Sequence, residues 1–263
     1  LESREVVADG PLFITLRSVY RIGRASTLTQ DMTFYGDSRR IDFATEVDWH
    51  DRQRLLKAGF AVDVHADSFR SEIQFGHVVR PTHANTSWDW ARFETCAHKW
   101  IDLSEGDYGV ALLNDCKYGH DTLDDMLSLT LLRSPACPDE EADQGRHTFT
   151  YALLPHQGGF GVESVVREAY ALNVPLRVVK LGATGGRAGG MSLCTVSNPN
   201  VIVEAVKKAE ADQALVVRVY EAGKTRGPVT LNFATPIRKA VECNLLEEQE
   251  QPGGISFPRR LAQ

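Results

Sequence analysis

The sequence has 263 residues, of which 43% are hydrophobic and 24% charged, as in an ordinary soluble globular protein with one large β domain, or one large and one small domain. The net charge of −6 and the lack of a basic block argue against nucleic acid as a partner. No apolar run approaches the roughly 20 residues of a membrane-spanning helix, and the charged start, LESREVVADG, lacks the apolar centre of a signal peptide.

Strand patterns dominate the beginning of the chain. Residues 12–20 and 28–35 are rich in β-branched and aromatic side chains. Residues 41–50, IDFATEVDWH, alternate strictly, and residues 55–65 repeat that alternation. The side chains predicted to face inward from the first of these two strands are Ile41, Phe43, Thr45, Val47 and Trp49. Because a period of two is typical of a strand with one wet face, we predict an antiparallel sheet.

The stretch Phe75–Asp121 contains three of the four tryptophans and four of the eight histidines. Strands are predicted within it at residues 91–100 and 108–115. Aromatic rings bury large areas, and Trp also needs a partner for its N–H. The stretch is therefore either a tightly packed set of strand ends or a wall of a carbohydrate-binding or catalytic cleft. For Trp88 and Trp90 we predict packing as the first role and the cleft as the second.

The chain continues with two more strands, at residues 126–134 and 147–156. Residues 161–173, GVESVVREAYALN, predict the first helix, and residues 176–181 predict a strand after it. Hardly any other helical pattern occurs before this point, so the first part of the chain is predicted to be all-β.

A glycine-rich stretch separates this part from the C-terminal region, where strands at residues 201–207, 214–221 and 229–233 predict a meander. We therefore predict an all-β protein, with an antiparallel sheet of many strands followed by a small β-sandwich or the edge of one. The predicted domains are residues 1–182, a linker at 183–190, and residues 191–263.

No complete catalytic or metal-binding motif occurs in the sequence. The histidines and cysteines of the central stretch lack the spacing of a zinc site, and there is no G-x-S-x-G nucleophile elbow. Five widely spaced cysteines without a CxxC pair indicate reduced thiols in a cytoplasmic protein. Cys116 could have a pKa lowered by Lys117, but a small side chain near a strand end is the favoured interpretation.

Long contiguous motifs carry a family resemblance. They are EVDWHDRQRLLKAGFAVDVHA, EIQFGHVVRPTHANTSWDWARFETCAHKWIDLSEGDYGVALLNDCKYGHD, LTLLRSP and ADQGRHTFTYALLPH. Together they resemble the C-terminal half of the α-mannosidases of glycoside hydrolase family 38, above all the cytoplasmic and bacterial branch. The resemblance is strong over about residues 10–180 and looser afterwards. The start at Leu1 rather than Met also leads us to expect a piece of something longer.

The resemblance implies a large enzyme of several domains. An N-terminal α/β domain would carry the zinc ion, the aspartate nucleophile and the acid/base residue, followed by a helical bundle and β-sandwich domains. This chain is similar to the first of those β domains, so the resemblance implies a large antiparallel supersandwich, galactose-mutarotase-like, followed by part of a smaller β-sandwich, the last of them. The implied reaction is retaining hydrolysis of terminal α-mannosides. Since nothing here matches the zinc-binding or nucleophile motifs, we expect no catalytic residue, no metal ligand and no activity in this chain alone.

The expected contribution of this chain is a set of loops that complete the cleft and an interface with the catalytic domain. The turn after residues 108–113 supplies the first candidates, Asn114, Asp115, Lys117 and Tyr118, because a strand ends there in polar groups that would project from the sheet edge. Arg133 is similar in position to an arginine of animal relatives that reaches the active-site region. The alternative is that these groups only brace the domain interface.

The expected partners are α-mannoside glycans and the missing N-terminal catalytic domain, with homo-oligomers also possible. Two other classes stay open at this point. One is a carbohydrate-binding module that acts by itself. The other is a mutarotase-like sugar epimerase, which needs a His/Glu acid–base pair in the groove of the sandwich.

Overall fold

The computed structural model describes residues 1–123, 125–180 and 189–249. The chain divides into two compact units, Leu1–Val178 and Val179–Gln263, which are described separately. The predicted domain boundaries remain predictions. Most of the predicted linker, residues 183–188, lies outside the described residues.

The first unit consists of two antiparallel sheets and little helix. Its strands are β1 Ser3–Asp9, β2 Phe13–Ile22, β3 Ser26–Tyr35, β4 Ile41–Trp49, β5 Leu55–Ala61, β6 Ser68–Ile73, β7 Gly76–Pro81, β8 Thr95–Cys96, β9 Trp100–Ser104, β10 Tyr108–Asn114, β11 Gly119–Leu123, β12 Met126–Arg133 and β13 Gly145–Gln157. Its helical elements are α1 Ser87–Trp90, a π-helical turn Val162–Val166, and α2 Arg167–Asn173. One sheet has the order β1-β2-β3-β4-β13-β10-β9-β6-β7, and the other β5-β12-β11-β8.

The two sheets face each other across one hydrophobic core. Phe43 of β4 stacks on Tyr151 of β13 with 5.0 Å between ring centroids, and Phe60 of β5 approaches Phe43 at 5.5 Å from the opposite sheet. The alternation predicted for residues 41–50 is confirmed from Phe43 to Trp49. Burial of such a set, at about 25 cal/mol per Å² of apolar surface, is the main force that holds the sheets together.

A helical segment covers the other face of the nine-stranded sheet at β9 and β10. Phe160 stacks on the buried Trp100 with 5.0 Å between centroids, and the Asn173 side chain donates to the Asn114 carbonyl at 2.9 Å. The helix predicted at residues 161–173 is confirmed, although its first turn is π-helical. Because both faces are covered, β10 is buried from its second residue to its last.

Two predicted strands are wrong within the described residues. Residues 91–100 contain only the two-residue strand β8 and the first residue of β9, and Ala91 is the C-cap of the helical turn Ser87–Trp90. Residues 176–180 are irregular. Leu176 and Val178 are almost fully exposed, and a strand needs a neighbouring strand to pair its backbone groups.

The second unit is described at residues 179–180 and 189–249. Its strands are β14 Cys194–Val196, β15 Val201–Lys208, β16 Leu215–Glu221 and β17 Leu231–Phe233. The hairpin of β15 and β16 is confirmed, but β17 pairs with β14, so the predicted three-strand meander is wrong. After β16 the Glu221 carboxylate accepts N–H groups from Gly223 and Thr225 and closes a turn.

Candidate functional site

The predicted turn connects β10 of one sheet to β11 of the other, and Asn114 forms its base. The Asn114 side chain is buried. Its Nδ2 donates to the His98 carbonyl at 2.9 Å, and its Oδ1 accepts the Lys117 N–H at 2.6 Å. The expectation that Asn114 projects from the sheet edge is therefore wrong. Its side chain is buried and fixes the turn backbone through hydrogen bonds.

The other three candidates of the turn stay at the surface. Asp115 Oδ2 accepts the Thr150 N–H at 2.9 Å, which ties the turn to β13. The Lys117 ammonium lies 4.4 Å from the centre of the Phe149 ring. Tyr118 is 55% exposed. The turn thus presents a carboxylate, an ammonium and a phenol on a backbone that is fixed by hydrogen bonds.

Arg133 lies at the same end of the four-stranded sheet as the turn. Strands β11 and β12 are antiparallel, with His120 opposite Leu129, so the start of β11 and the end of β12 meet at one edge. Arg133 is the exposed last residue of β12, and its N–H donates to Asp143 Oδ2 at 2.8 Å. The fold therefore brings Arg133 and the turn to one end of the sandwich, although they are distant in sequence.

His120 is fully buried directly after the turn. Its Nδ1 lies 3.0 Å from the Tyr118 carbonyl, and its Nε2 lies 3.3 Å from Asn114 Nδ2. Burial lowers the pKa of His120 to about 4, because taking an imidazolium out of water is costly. A neutral imidazole with Nδ1 protonated can donate to the Tyr118 carbonyl and accept from Asn114 Nδ2. His120 therefore stabilises the turn through these two hydrogen bonds.

Cys116 does not have the electrostatics of a nucleophile. Burial, and then the hydrogen bond to Asp115, raise the pKa of the Cys116 thiol to about 11. Lys117 acts in the opposite direction but is the weakest influence. The lysine-activated alternative for this cysteine is therefore wrong, and the thiol stays protonated at neutral pH.

Sequence reasoning missed an ionic cluster beside the turn. The Glu94 carboxylate accepts a hydrogen bond from the Thr130 hydroxyl and lies 3.0 Å from the Lys57 ammonium. The same ammonium lies 3.6 Å from the Asp121 carboxylate. Burial raises the pKa of Glu94, but the hydrogen bonds from Thr130 and Lys57 outweigh it and the net shift is downward. A Cβ on Gly119 would approach Glu94 Oε2 to 2.9 Å, so this cluster abuts the turn. No spacing in the sequence predicts this cluster, because its four members lie on three different strands and a loop.

The tryptophans of the central stretch do not share one role. Trp100 is buried, whereas Trp88, Trp90 and Phe93 are 82%, 72% and 76% exposed. The prediction that Trp88 and Trp90 pack in the interior is therefore wrong. Beside them lies a cavity of about 250 Å³. Its lining includes Phe69, Arg80, Trp90, Phe93, Asp121 and Leu123.

A buried histidine–carboxylate pair is enclosed in the nine-stranded sheet. His156 Nε2 lies 2.7 Å from Asp102 Oδ1, with both side chains at most 5% exposed. Burial lowers the pKa of His156, but the hydrogen bond and charge of Asp102 outweigh it, so the pKa is raised. A sugar epimerase would need an acid–base pair in an open groove, and this pair is closed to a substrate.

Metal-binding groups are not assembled in the part of the chain that is described: it contains no group of three or more His, Cys, Asp or Glu side chains that could hold an ion. All five cysteines are free. None of the helices in the described ranges is long and apolar enough to cross a membrane.

The comparisons with known proteins identify the family. The family model described as "Glycosyl hydrolases family 38 C-terminal domain" matches residues 2–141, more than half of the chain. The chain belongs to glycoside hydrolase family 38. A further model, "Glycosyl hydrolases family 38 C-terminal beta sandwich domain", matches residues 200–260.

Relatives of this family 38 chain are similar over nearly its whole length. "Alpha-mannosidase 2C1" of Homo sapiens is 44% identical over 240 residues, which are 90% of this chain and 23% of that protein. "Alpha-mannosidase G" of Dictyostelium discoideum is 40% identical over 259 residues, 94% of this chain and 24% of that protein. The chain thus spans about a quarter of the length of these curated relatives.

A solved structure supports the fold. "The crystal structure of an alpha-mannosidase from Enterococcus faecalis V583" superposes with a TM-score of 0.80 at 18% identity, over 94% of this chain and 32% of that one. At that identity the likeness shows the architecture alone. It agrees with the all-β sandwich that positions the turn and Arg133 at one end.

Proposed function

We propose that the chain is the C-terminal, non-catalytic part of a retaining α-mannosidase that hydrolyses terminal α-mannosides in glycans. The observation that carries the proposal is the order of the matches. Two C-terminal models of family 38 follow each other along the chain, and relatives named α-mannosidases are about four times as long. The chain would therefore supply walls and interfaces, while the bond-breaking groups belong to another part of the polypeptide.

The end of the sandwich with the turn is the part proposed to complete the cleft. Asp115, Lys117, Tyr118 and Arg133 expose charged and hydroxyl groups of the kinds that bond to sugar hydroxyls. The buried Asn114 side chain contributes indirectly, because its amide fixes the backbone of the turn that carries Asp115, Lys117 and Tyr118. Loops on a rigid sheet are the usual carriers of such contacts, and β10 is buried up to the turn.

Zinc, the aspartate nucleophile and the acid/base residue are assigned to the catalytic domain outside this chain. Among the described residues, no group of three or more His, Cys, Asp or Glu side chains is assembled for a metal ion. Zinc would supply Lewis-acid positioning of sugar hydroxyls there. The same proposal covers a cytoplasmic location, α-mannoside glycans and the catalytic domain as partners, and homo-oligomers as a further possibility.

An aryl α-mannoside assay tests the proposal. The 263-residue chain alone should release no aglycone. The longer polypeptide of which it is proposed to be part should hydrolyse the aryl α-mannoside. Release of mannose by the chain alone, or no turnover by the longer polypeptide, would contradict the assignment.

Two substitutions in the longer polypeptide test the turn itself. Asp115→Asn keeps an oxygen for the Thr150 N–H and removes the charge, while Arg133→Ala removes an exposed guanidinium whose backbone contact to Asp143 remains. We expect each to lower turnover by about tenfold or more, the worth of one charge-assisted hydrogen bond, with the unfolding midpoint unchanged. Unchanged turnover at unchanged stability would show that these groups only brace an interface.

A further inference from the structure

The segment around α1 has its polar and apolar sides reversed. The least exposed side chain of the helical turn is Asp89, at 12%. Trp88 and Trp90 on either side of it, and Phe93 shortly after, are 72–82% exposed. A surface helix normally turns its apolar face to the core. Here three aromatic side chains, Trp88, Trp90 and Phe93, are each turned outward; we call these three side chains the aromatic patch.

The aromatic patch is held in this orientation by several contacts. A helix of four residues has little stability of its own. The Thr86 hydroxyl accepts the Asp89 N–H at 3.1 Å, and Asp89 Oδ2 accepts the Thr86 N–H at 3.2 Å. Arg92 adds an ion pair to Asp89 at 2.8 Å, and Glu94 anchors the end of the segment on Lys57. A surface that is already ordered loses little entropy when it binds.

The size of the patch distinguishes between occupants. Aromatic side chains bury 150–250 Å² each, so three that are about three-quarters exposed present roughly 500 Å². That sum is comparable to the largest apolar patch of a typical monomer, about 300–600 Å², and is about half of one side of a standard protein interface, about 800 Å². The adjoining cavity of about 250 Å³ is smaller than ordinary ligand sites, which start at about 300 Å³. A protein surface fits these magnitudes better than a sugar.

We propose that the aromatic patch is a docking surface for the catalytic part of the same polypeptide. This inference rests on the proposed function. The chain spans about a quarter of its relatives, so in proteins of their length three-quarters of the sequence lies outside it. The Glu94 side chain, one residue after Phe93, reaches back to Gly119, whereas the register of β8 on β11 carries Phe93 toward the Leu123 end of β11, away from the turn.

The test uses the 263-residue chain and the preceding part of the longer polypeptide, expressed separately. The variant is Trp88→Ala/Trp90→Ala/Phe93→Ala. Its unfolding midpoint should equal that of the unchanged chain, because the three side chains are mostly exposed. Its dissociation constant for the preceding part should rise at least 100-fold, as for the centre of an interface. Leu12→Ala is the matched control: Leu12 is 73% exposed beside β1 and β2, at the opposite edge of the large sheet from β7, and should leave binding unchanged.

Acrylamide quenching provides a direct readout. Tryptophan fluorescence of the chain should be quenched less after the preceding part is added, and this protection should be absent in Trp88→Phe/Trp90→Phe. Equal binding by the triple variant and the unchanged chain, with mannosidase activity restored by both, would overturn the docking surface and leave the proposed function standing. Failure of the unchanged chain to bind or to restore activity would overturn both.

Two other occupants give distinct results. If methyl α-mannoside protects the tryptophans of the unchanged chain and not those of the variant, the patch is a sugar site. If the unchanged chain is a dimer by analytical ultracentrifugation and the triple variant is a monomer, the occupant is a second copy. Either result would overturn the proposal as stated.

Discussion

Acidification should destabilise the first unit through His120. This side chain is fully buried, and its pKa is lowered to about 4 by that burial. In the unfolded chain an imidazole has a pKa of about 6.5. Between these two values the unfolded state binds a proton that the folded state does not, so stability falls as the pH falls. The contribution is fully present above pH 6.5 and is lost progressively down to about pH 4.

The magnitude follows from the width of that window. Each pH unit below 6.5 costs about 1.4 kcal/mol, so His120 should remove about 2 kcal/mol between pH 6.5 and 5.0. His156, whose pKa is raised, loses its contribution only as the pH rises above 6.5, outside this interval. Carboxylates with lowered pKa, such as Glu94, lose theirs below about pH 4.5. His156 and these carboxylates therefore contribute little to the change between pH 6.5 and 5.0.

Urea unfolding followed by tryptophan fluorescence reports on the first unit, since all four tryptophans lie in it. His120→Gln keeps one donor and one acceptor and does not titrate. The unfolding free energy of the unchanged chain should fall about 2 kcal/mol more than that of His120→Gln between the two pH values. His65→Gln, at a side chain 88% exposed, should behave as the unchanged chain. Parallel curves for the unchanged chain and His120→Gln, or an NMR titration midpoint of His120 near 6.5, would refute the reasoning.

Three further predictions concern the large sheet and its core. Gly109→Ala should cost about 1–3 kcal/mol in urea unfolding, because its Cβ would approach His156 Cε1 and Ser104 Cβ to 2.5 Å, whereas Gly106→Ala has open space and should cost under about 1 kcal/mol; equal losses would contradict the steric account. Glu72→Ala should cost about 2–3 kcal/mol, since buried Glu72 accepts the Lys99 N–H at 2.6 Å and pairs with its ammonium at 2.8 Å. Glu72→Gln should lose less, and an equal loss would show that charge alone matters. Leu129→Ala should lower the free energy of unfolding by about 2–5 kcal/mol, and a loss below 1 kcal/mol would place Leu129 outside the core.

The sequence predicts well where the interior of the sandwich alone decides the structure. Residues 41–50 alternate because one face of β4 meets the core, and burial of Val47 and Trp49 confirms it. Strand pairings are harder to predict. Strand β17 follows β16 in the sequence but pairs with β14 instead, and alternation alone does not specify the partner of a strand.

The candidate site shows the same limit. Asp115 and Arg133 come to one end of the fold because β11, a strand that is not among those predicted, pairs antiparallel with β12. The burial of Asn114 and the exposure of Trp88 do not follow from residue type. An amide is usually exposed and a tryptophan usually buried. At these positions a local hydrogen-bond network and an outward-facing helical turn decide the outcome.

At this end of the protein, the residue that fixes the loop differs from the residues that the loop exposes. The path of the loop depends on a side chain that substrate could not touch, while Cys116, Lys117 and Tyr118 form its tip. Residues at the tip can therefore be exchanged during evolution, or by an engineer, without rebuilding the sheet beneath. A library that randomises the tip and keeps Asn114 and His120 should retain folded members, and one that varies Asn114 should lose most of them.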